Sequence, residues 1–363
     1  MEVQVPPIRG LQPLRPVPDR FLEPAALRAE LEREFDAANP PDRLAAAQAF
    51  EIHLGLLPAG ADLEALSTDL LASQVIGFYD DRTRSLTIVD RSGSFGPLER
   101  TTVAHEYTHA LQDQHFGLAG LDLDAPDQSD RDAARLALVE GDASLSMQQW
   151  SSAHLSPADQ LALVAAAADP AQLELLGRTP NFLVRQLVFP YTAGLAFVTR
   201  LFDDGGWPAV DAVYARPPAS TSQILHPERY LAGEAPMSVS LDGTALTAAL
   251  GPGWSVRLTD TLGEATLEPW LEPANGHAQA TAAAAGWAGD RAVSLAGPGG
   301  AWLIAMRTFW RDPAAATAFA AAARRSLGGL EGGGEARLDG SRVTVWLGSL
   351  ATLPAPAAEA LAP

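Results

Sequence analysis

Residues 101–111 read TTVAHEYTHAL, with small and apolar residues on both sides of two histidines that are four positions apart. This spacing places both imidazoles on one face of an α-helix, because side chains four residues apart are neighbours on a helix surface. We predict a helix over residues 98–116, where Gly117 ends it. The small residues supply the face along which this helix is buried.

The two histidines, His105 and His109, form the pattern H-E-x-x-H together with Glu106. Two imidazoles on one helix face can hold a single metal ion, and zinc suits neutral imidazole nitrogen and carboxylate oxygen. A zinc site with an open position lowers the pKa of a water, and Glu106 is placed to act as the base that deprotonates it. The motif therefore predicts a Zn2+ hydrolase with His105 and His109 as ligands.

A third protein ligand is needed, and two residues compete for this role. His115 would complete the spacing of the metzincins, which have glycine where this chain has Gln112. In an unbroken helix, which turns by about 100° per residue, His115 would point away from the ion. Glu140 lies in a later predicted helix after the apolar residues 136–139, where a carboxylate needs a partner such as a metal.

The composition excludes several chemistries. All 25 basic residues are arginine and there is no cysteine, so lysine Schiff bases, P-loops of the G-x-x-x-x-G-K-[ST] type and thiolate-ligated metals are excluded. The formal net charge of −19 argues against nucleic acid as a partner. A content of 47% hydrophobic and 19% charged residues indicates a globular protein.

Short β-prone runs at residues 74–79 and 85–89 predict a β-hairpin before the motif helix, and such a strand could bind an extended substrate through main-chain hydrogen bonds. A long helix is predicted over residues 131–154 and another over residues 185–202. Beyond about residue 236 we predict strands at residues 237–241, 291–295, 301–309 and 342–347, a helix at residues 313–325, and turns at the Gly-rich residues 328–334.

Several segments of the chain resemble those of a known family. They are residues 77–80 (GFYD), 105–116 (HEYTHALQDQHF), 138–143 (LVEGDA), 189–191 (FPY), 205–207 (GGW), 224–230 (ILHPERY), 284–291 (AAGWAGDR) and 308–310 (TFW). In these segments, from about residue 60 to residue 325, the chain resembles a family of bacterial zinc metallopeptidases of the gluzincin (HExxH…E) type, which are usually extracytoplasmic.

The resemblance implies His105, His109 and Glu140 as the zinc ligands and Glu106 as the general base. It also implies that the substrate is a peptide or a protein. The chain departs from better-known gluzincins at one position. Those proteins often carry an aspartate four residues after the glutamate ligand, where this chain has Ser144.

Peptide hydrolysis builds negative charge on the carbonyl oxygen, so a hydrogen-bond donor besides zinc is expected. Tyr191 and His226 are the candidates, although Tyr191 could serve in packing and His226 in a turn before Pro227. The predicted function is a zinc-dependent peptidase. The alternatives are a zincin-fold binding or scaffold protein that hydrolyses nothing, and a metzincin-like site that uses His115 as the third ligand.

We expect an α+β fold: a mainly helical, zincin-like catalytic domain with a small β-hairpin or sheet, and a small C-terminal α+β domain. Five prolines in residues 1–20 predict an extended arm. The catalytic domain is predicted over residues 21–235 and the second domain over residues 236–350. The tail, residues 351–363, is rich in proline and alanine and is expected to be disordered.

The sequence gives a limited prediction of partners and of cellular location. No signal peptide and no apolar run of about 18 residues is apparent, which predicts a chain without a transmembrane segment. The location stays open, since the family resemblance suggests an extracytoplasmic protein whereas the sequence is also compatible with the cytoplasm. The sequence does not predict the oligomeric state.

Overall fold

The structure is a computed structural model of the chain, and it describes residues 1–89 and 95–362. The predicted α+β class is confirmed: helices form most of the chain, and a five-stranded antiparallel sheet lies in its C-terminal part. The chain forms two compact units. The first unit comprises residues 1–39, 62–123 and 133–218, and the second unit comprises residues 40–61, 124–132 and the chain from residue 219 onward.

The helices are α1 (Val5–Arg9), α2 (Pro24–Ala38), α3 (Pro41–His53), α4 (Leu63–Gln74), α5 (Pro97–Phe116), α6 (Ser129–His154), α7 (Pro157–Ala167), α8 (Pro170–Arg178), α9 (Asn181–Tyr214), α10 (Thr221–Leu225), α11 (Pro227–Leu231), α12 (Gly243–Leu250), α13 (Gly263–Asn275), α14 (His277–Ala284), α15 (Pro313–Leu327) and α16 (Ala355–Ala360). The strands are β1 (Asp19–Leu22), β2 (Gly77–Asp80), β3 (Ser85–Val89), β4 (Ser255–Asp260), β5 (Trp287–Ala296), β6 (Trp302–Trp310), β7 (Gly333–Asp339) and β8 (Arg342–Gly348).

The two units differ from the predicted domains. Their boundary lies at residues 218 and 219 instead of 235 and 236, and residues 40–61 belong to the second unit. In that unit the His53 ring at the end of α3 stacks on the Trp302 ring, with 3.7 Å between their centroids. An amphipathic pattern shows which helix face is buried but does not identify the surface that covers it, so this assignment required the tertiary structure.

Both chain ends contain helices that the composition did not indicate. The predicted extended arm at residues 1–20 is wrong over α1, where Arg9 is fully buried and its Nε lies 2.5 Å from Asp142 Oδ1. Prolines at the start of α1 are compatible with a helix, because the first N–H groups of a helix have no intrahelical partner. The predicted disorder of residues 351–363 is wrong over α16, where Ala357 is buried.

The motif helix α5 is confirmed to within one residue of its predicted start, and it ends at the predicted residue. It begins at Pro97, where the N–H of Gly96 donates to Glu99 Oε2 at 2.9 Å and caps the helix. It ends at Gly117, whose φ of 70° is a conformation that glycine adopts without a steric penalty. One face packs Ala104, Tyr107 and Leu111 into a core cluster with Val5, Leu11, Trp150 and Leu155.

The predicted hairpin is formed by β2 and β3, and β1 adds to β3 in parallel to give the order β1-β3-β2. The first strand of the hairpin starts at Gly77 and not at residue 74, because helix α4 extends to residue 74. Leu86 and Ile88 of β3 form a cluster with Val103 of α5. This packing holds the sheet against the motif helix and leaves β2 at an edge.

The second unit contains the antiparallel sheet β4-β5-β6-β8-β7. The strands predicted around residues 291–295, 301–309 and 342–347 correspond to β5, β6 and β8, and the helix predicted at residues 313–325 corresponds to α15. Residues 237–241 are not a strand, whereas β4 and β7 were not predicted. Because β4 and β7 are edge strands that expose one side to solvent, their sequences lack the apolar pattern of an inner strand.

Helix α9 is the one helix in the described part of the chain that is long and apolar enough to cross a membrane by length and composition. One third of its most apolar window is buried. Core helices of soluble proteins meet the same criterion, so this feature is weak evidence for a membrane span. Glycines 205 and 206 interrupt its helical geometry, and the predicted helix over residues 185–202 lies within it.

A pH effect on stability is expected from Glu51 in α3. Its Oε2 atom is buried without a hydrogen-bond partner among the described residues, and burial raises the pKa of this carboxyl to about 7. The folded chain therefore keeps a proton that the unfolded chain releases above about pH 4. Stability should fall as the pH rises from about 4 to about 7, by at most about 1.4 kcal/mol per pH unit.

The Glu51→Gln variant should lack this slope. Urea unfolding at pH 5 and at pH 8 measures the unfolding free energies of wild type and variant. Relative to wild type, the variant should be more stable at pH 8 than at pH 5. The same change at the exposed Glu359 is the control. A difference that stays constant with pH would show that Glu51 is solvated in the folded protein.

Candidate metal centre

Three side chains of the first unit converge on one point. His105 Nε2 lies 3.0 Å from Glu140 Oε2 and 3.0 Å from His109 Nε2, and His109 Nε2 lies 3.4 Å from Glu140 Oε2. Atoms at these separations surround a position roughly 2 Å from each, which is the bond length of zinc to nitrogen and oxygen ligands. The two histidines are buried, and their ring planes are 84° apart. This geometry fits a metal ion bound through two nitrogens and one oxygen.

The charges at this point also favour a cation. Burial opposes the charge of His109, but the carboxylates of Glu140 and Glu106 outweigh this effect and raise its pKa to about 10. Burial likewise opposes the charge of Glu140, yet the two imidazoles hold its pKa below its ordinary value. Burial raises the pKa of Glu106, and Glu140 raises it further. The two carboxylates thus create a negative potential that a bound cation would relieve.

Glu140 reaches the histidines because two helices cross with their backbones in close contact. A Cβ atom on Gly141 would lie 2.2 Å from the carbonyl oxygen of Gly194, and one on Gly194 would lie 2.0 Å from the carbonyl oxygen of Ala137. Only glycine allows such an approach of α6 and α9. The crossing lies directly beside Glu140 on α6 and one helical turn from Tyr191 on α9.

Glu106 is held by the edge strand β2. Its Oε2 accepts a hydrogen bond of 3.0 Å from the Tyr79 N–H. The Val89 N–H donates to the Ile76 carbonyl, so these two residues form a hydrogen-bonded pair. Because such pairs alternate with non-hydrogen-bonded pairs along an antiparallel ladder, the N–H and carbonyl of Tyr79 point away from β3. The free edge of β2 therefore faces the carboxylate that the motif predicts as the base.

Tyr79 also joins β2 to α5 through its side chain. Its hydroxyl donates to Asp113 Oδ2 at 2.9 Å, and an Arg15 NH2 group lies 2.6 Å from the same oxygen. Burial and the contact with Asp113 raise the pKa of Tyr79 to about 12. These contacts anchor the strand that orients Glu106.

His115, the other candidate for the third ligand, is not one of the three side chains that converge at the site. Helix α5 continues without a break through Gln112, and His115 is exposed with its Nε2 2.7 Å from the carbonyl oxygen of Gln12. The group of ligand atoms at the site consists of His105, His109 and Glu140. The glycine of the metzincin pattern is absent here, and the helix continues past this position to Phe116.

The two predicted oxyanion donors lie in different units. The Tyr191 ring centroid is 6.0 Å from that of His105, and the residue is only partly covered, with 43% of its surface exposed. Burial and the nearby Glu140 and Glu106 raise the pKa of Tyr191, so its hydroxyl stays protonated. His226 belongs to the second unit, where its Nε2 lies 2.8 Å from Glu264 Oε1.

Sequence reasoning missed two buried polar residues near the site. Gln112, considered only as the missing glycine, lies 2.8 Å from His109 Nδ1, and the three-residue spacing on one helix face could have indicated this contact. Asp142 pairs with Arg9 and accepts a hydrogen bond of 2.7 Å from the Tyr214 hydroxyl. No local sequence signal indicates the contact with Arg9, because the two residues are 133 positions apart.

Comparison with known proteins gives one match. Residues 255–351, which lie in the second unit, match the model of a family described as a domain of unknown function, DUF8575. No curated protein and no solved structure matches the chain. The match covers the sheet from β4 to β8 and not the residues of the candidate metal centre.

Proposed function

We propose that this chain is a zinc-dependent peptidase of the gluzincin type, with Zn2+ held by His105, His109 and Glu140. The observation that carries the proposal is the convergence of two imidazole nitrogens and one carboxylate oxygen within 4.8 Å of one another. This donor set suits zinc better than magnesium or calcium, which prefer sites made of oxygen ligands alone. Three protein ligands leave one position open, as catalytic zinc sites require.

A bound zinc ion would supply Lewis acidity, which polarises the substrate carbonyl and lowers the pKa of a water. Glu106 takes the proton from the attacking water and passes it to the leaving amine. The Tyr79 N–H keeps the Glu106 carboxylate in place through the hydrogen bond to Oε2. The Tyr191 hydroxyl donates to the carbonyl oxygen as negative charge develops there. We assign no step to His226, whose Nε2 is paired with Glu264 in the second unit.

The edge strand supports a peptide as the substrate. The main chain of Gly77 and Tyr79 faces away from β3, so the Gly77 N–H and the carbonyls of both residues can pair with an extended chain. Gly77 also brings the strand close to α5, because a Cβ there would lie 3.2 Å from the Thr102 methyl and 3.8 Å from Glu106 Cγ. An extended peptide on this edge would lie beside the proposed base.

The proposal is tested by metal analysis together with hydrolysis of a peptide library. Wild-type protein should bind one zinc per chain and cleave peptides. The Glu106→Gln variant should keep its zinc, because Glu106 is not a ligand, while kcat/KM falls by about 10² to 10⁴-fold. The same change at Glu174, an exposed residue of α8, is the matched control and should alter neither quantity.

The alternative of a non-catalytic binding protein makes the opposite prediction. If wild-type protein binds zinc but cleaves no peptide of the library, the peptidase proposal is wrong and the chain is a metal-binding scaffold. Equal activity of wild type and Glu106→Gln would remove the general base from the mechanism.

A further inference from the structure

We infer that Gln112 is a positioning residue that holds His109 in the tautomer and orientation needed to bind a metal through Nε2. The inference rests on the proposed zinc site and assigns a role to a residue that is not itself a ligand. Gln112 follows His109 by three positions and is completely buried between α5 and α6. A fully buried amide needs hydrogen-bond partners, since a polar group that is removed from water without a partner destabilises the fold.

The amide has one partner on each side. Its Nε2 lies 3.0 Å from the main-chain oxygen of Val139, and its Oε1 lies 2.8 Å from His109 Nδ1. A carbonyl oxygen can only accept, so the amide nitrogen must face Val139. The reversed amide would set two oxygens against each other at the same distance. The Val139 carbonyl therefore directs the Gln112 oxygen toward His109.

This orientation determines where His109 carries its proton. The Gln112 oxygen can only accept, so Nδ1 must hold a hydrogen and donate it. In the neutral imidazole the remaining nitrogen, Nε2, then has the free lone pair. This nitrogen is the one that lies 3.0 Å from His105 Nε2 and 3.4 Å from Glu140 Oε2. The orientation of Gln112 thus leaves Nε2 as the nitrogen that is available to a metal.

Gln112 also couples the two helices that supply the ligands. It contacts His109 of α5 and the main chain of Val139, the residue directly before Glu140 on α6. A partner of this kind raises the basicity of the ligand and restricts the rotation of its ring. The hydrogen-bonded chain from Val139 through Gln112 to His109 thus orients one ligand relative to the helix of another.

The test compares zinc affinity, measured by chelator competition, in wild type and in the variants Gln112→Met and Gln112→Glu. Methionine keeps the length of the side chain but accepts no strong hydrogen bond, so the Kd for zinc should rise by about 10 to 100-fold. Glutamate keeps an acceptor for Nδ1 but sets an oxygen against the Val139 carbonyl, so its Kd should rise, though by less than that of Gln112→Met. In the zinc-loaded protein, the ¹⁵N shifts of His109 should report a proton on Nδ1 and metal on Nε2 in wild type and in Gln112→Glu, and a different pattern only in Gln112→Met.

A buried hydroxyl provides the control for a merely structural role. Thr108 also links α5 to α6, because its Oγ1 donates to Ser146 Oγ at 3.0 Å, and both residues are completely buried. The hydrogen bonds of its hydroxyl are to Ser146 Oγ and to the Ala104 carbonyl, and neither partner is a metal ligand. Thr108→Val should therefore lower the unfolding free energy of the metal-free protein without changing the Kd for zinc.

Two outcomes would overturn the inference while leaving the proposed function intact. One is zinc bound by Gln112→Met as tightly as by wild type. The other is an equal loss of affinity in Thr108→Val, which would reduce Gln112 to a contact between helices. Failure of the wild-type protein itself to bind zinc would instead contradict the proposed function.

Discussion

Replacing Glu140 by alanine is expected to abolish stoichiometric zinc binding and peptide hydrolysis with it. The change removes the carboxylate oxygen and leaves only His105 and His109, whereas a catalytic zinc site uses three protein ligands. It also removes the negative charge that balances the two buried imidazoles. Zinc per chain is measured by mass spectrometry after dialysis. A far-UV circular dichroism spectrum like that of wild type would show that the variant still folds.

The matched change is His115→Ala, which tests the competing third ligand. His115 is exposed and pairs with the Gln12 carbonyl, so its loss should leave zinc content and kcat/KM unchanged. Glu140→Gln preserves the shape of the side chain but not its charge, and it should bind zinc far more weakly than wild type. Zinc that survives Glu140→Ala but is lost in His115→Ala would replace the gluzincin assignment with a metzincin-like one.

Replacing Gly194 by valine is expected to disrupt the first unit. The new Cβ would lie 2.0 Å from the Ala137 carbonyl oxygen. The Cβ is fixed to the backbone of α9 and the oxygen is part of the backbone of α6, so neither can move without its helix. The helices α6 and α9 must then separate, which should lower the unfolding free energy by about 3 kcal/mol or more, at the upper end of overpacking costs. Urea unfolding measures this loss. Zinc affinity should fall as well, because Glu140 lies beside the crossing.

A glycine in another helix separates this steric effect from a change in helix propensity. Among the described residues, no atom outside its own stretch of α8 lies within 4 Å of the position that a Cβ on Gly177 would take. Gly177→Ala should leave the unfolding free energy unchanged or raise it by up to about 1 kcal/mol, since alanine favours helix. Unfolding of Gly194→Val at the urea concentration that unfolds wild type would contradict the close crossing.

The parts of the site that could be predicted from sequence are those set by local geometry. Helix α5 has a fixed period, so His105 and His109 share a face wherever that helix packs. The hairpin β2–β3 and the helix that carries Glu140 were likewise indicated by local patterns. Glu140 could be proposed as a ligand because a carboxylate among apolar residues needs a partner. The alternative, His115, remained open because the sequence leaves undecided whether the chain leaves the helix at Gln112.

The sequence of this protein by itself determined the α+β class, the motif helix and the chemistry available to it, because periodicity, end signals and composition are properties of short segments. The tertiary structure alone decided that Gln112 meets the Val139 carbonyl, that Arg9 meets Asp142, and that residues 40–61 belong with the C-terminal sheet. These contacts join surfaces that are distant along the chain or depend on a particular rotation of packed helices. A local sequence pattern can show that a side chain needs a partner. Only the tertiary structure shows which residue that partner is.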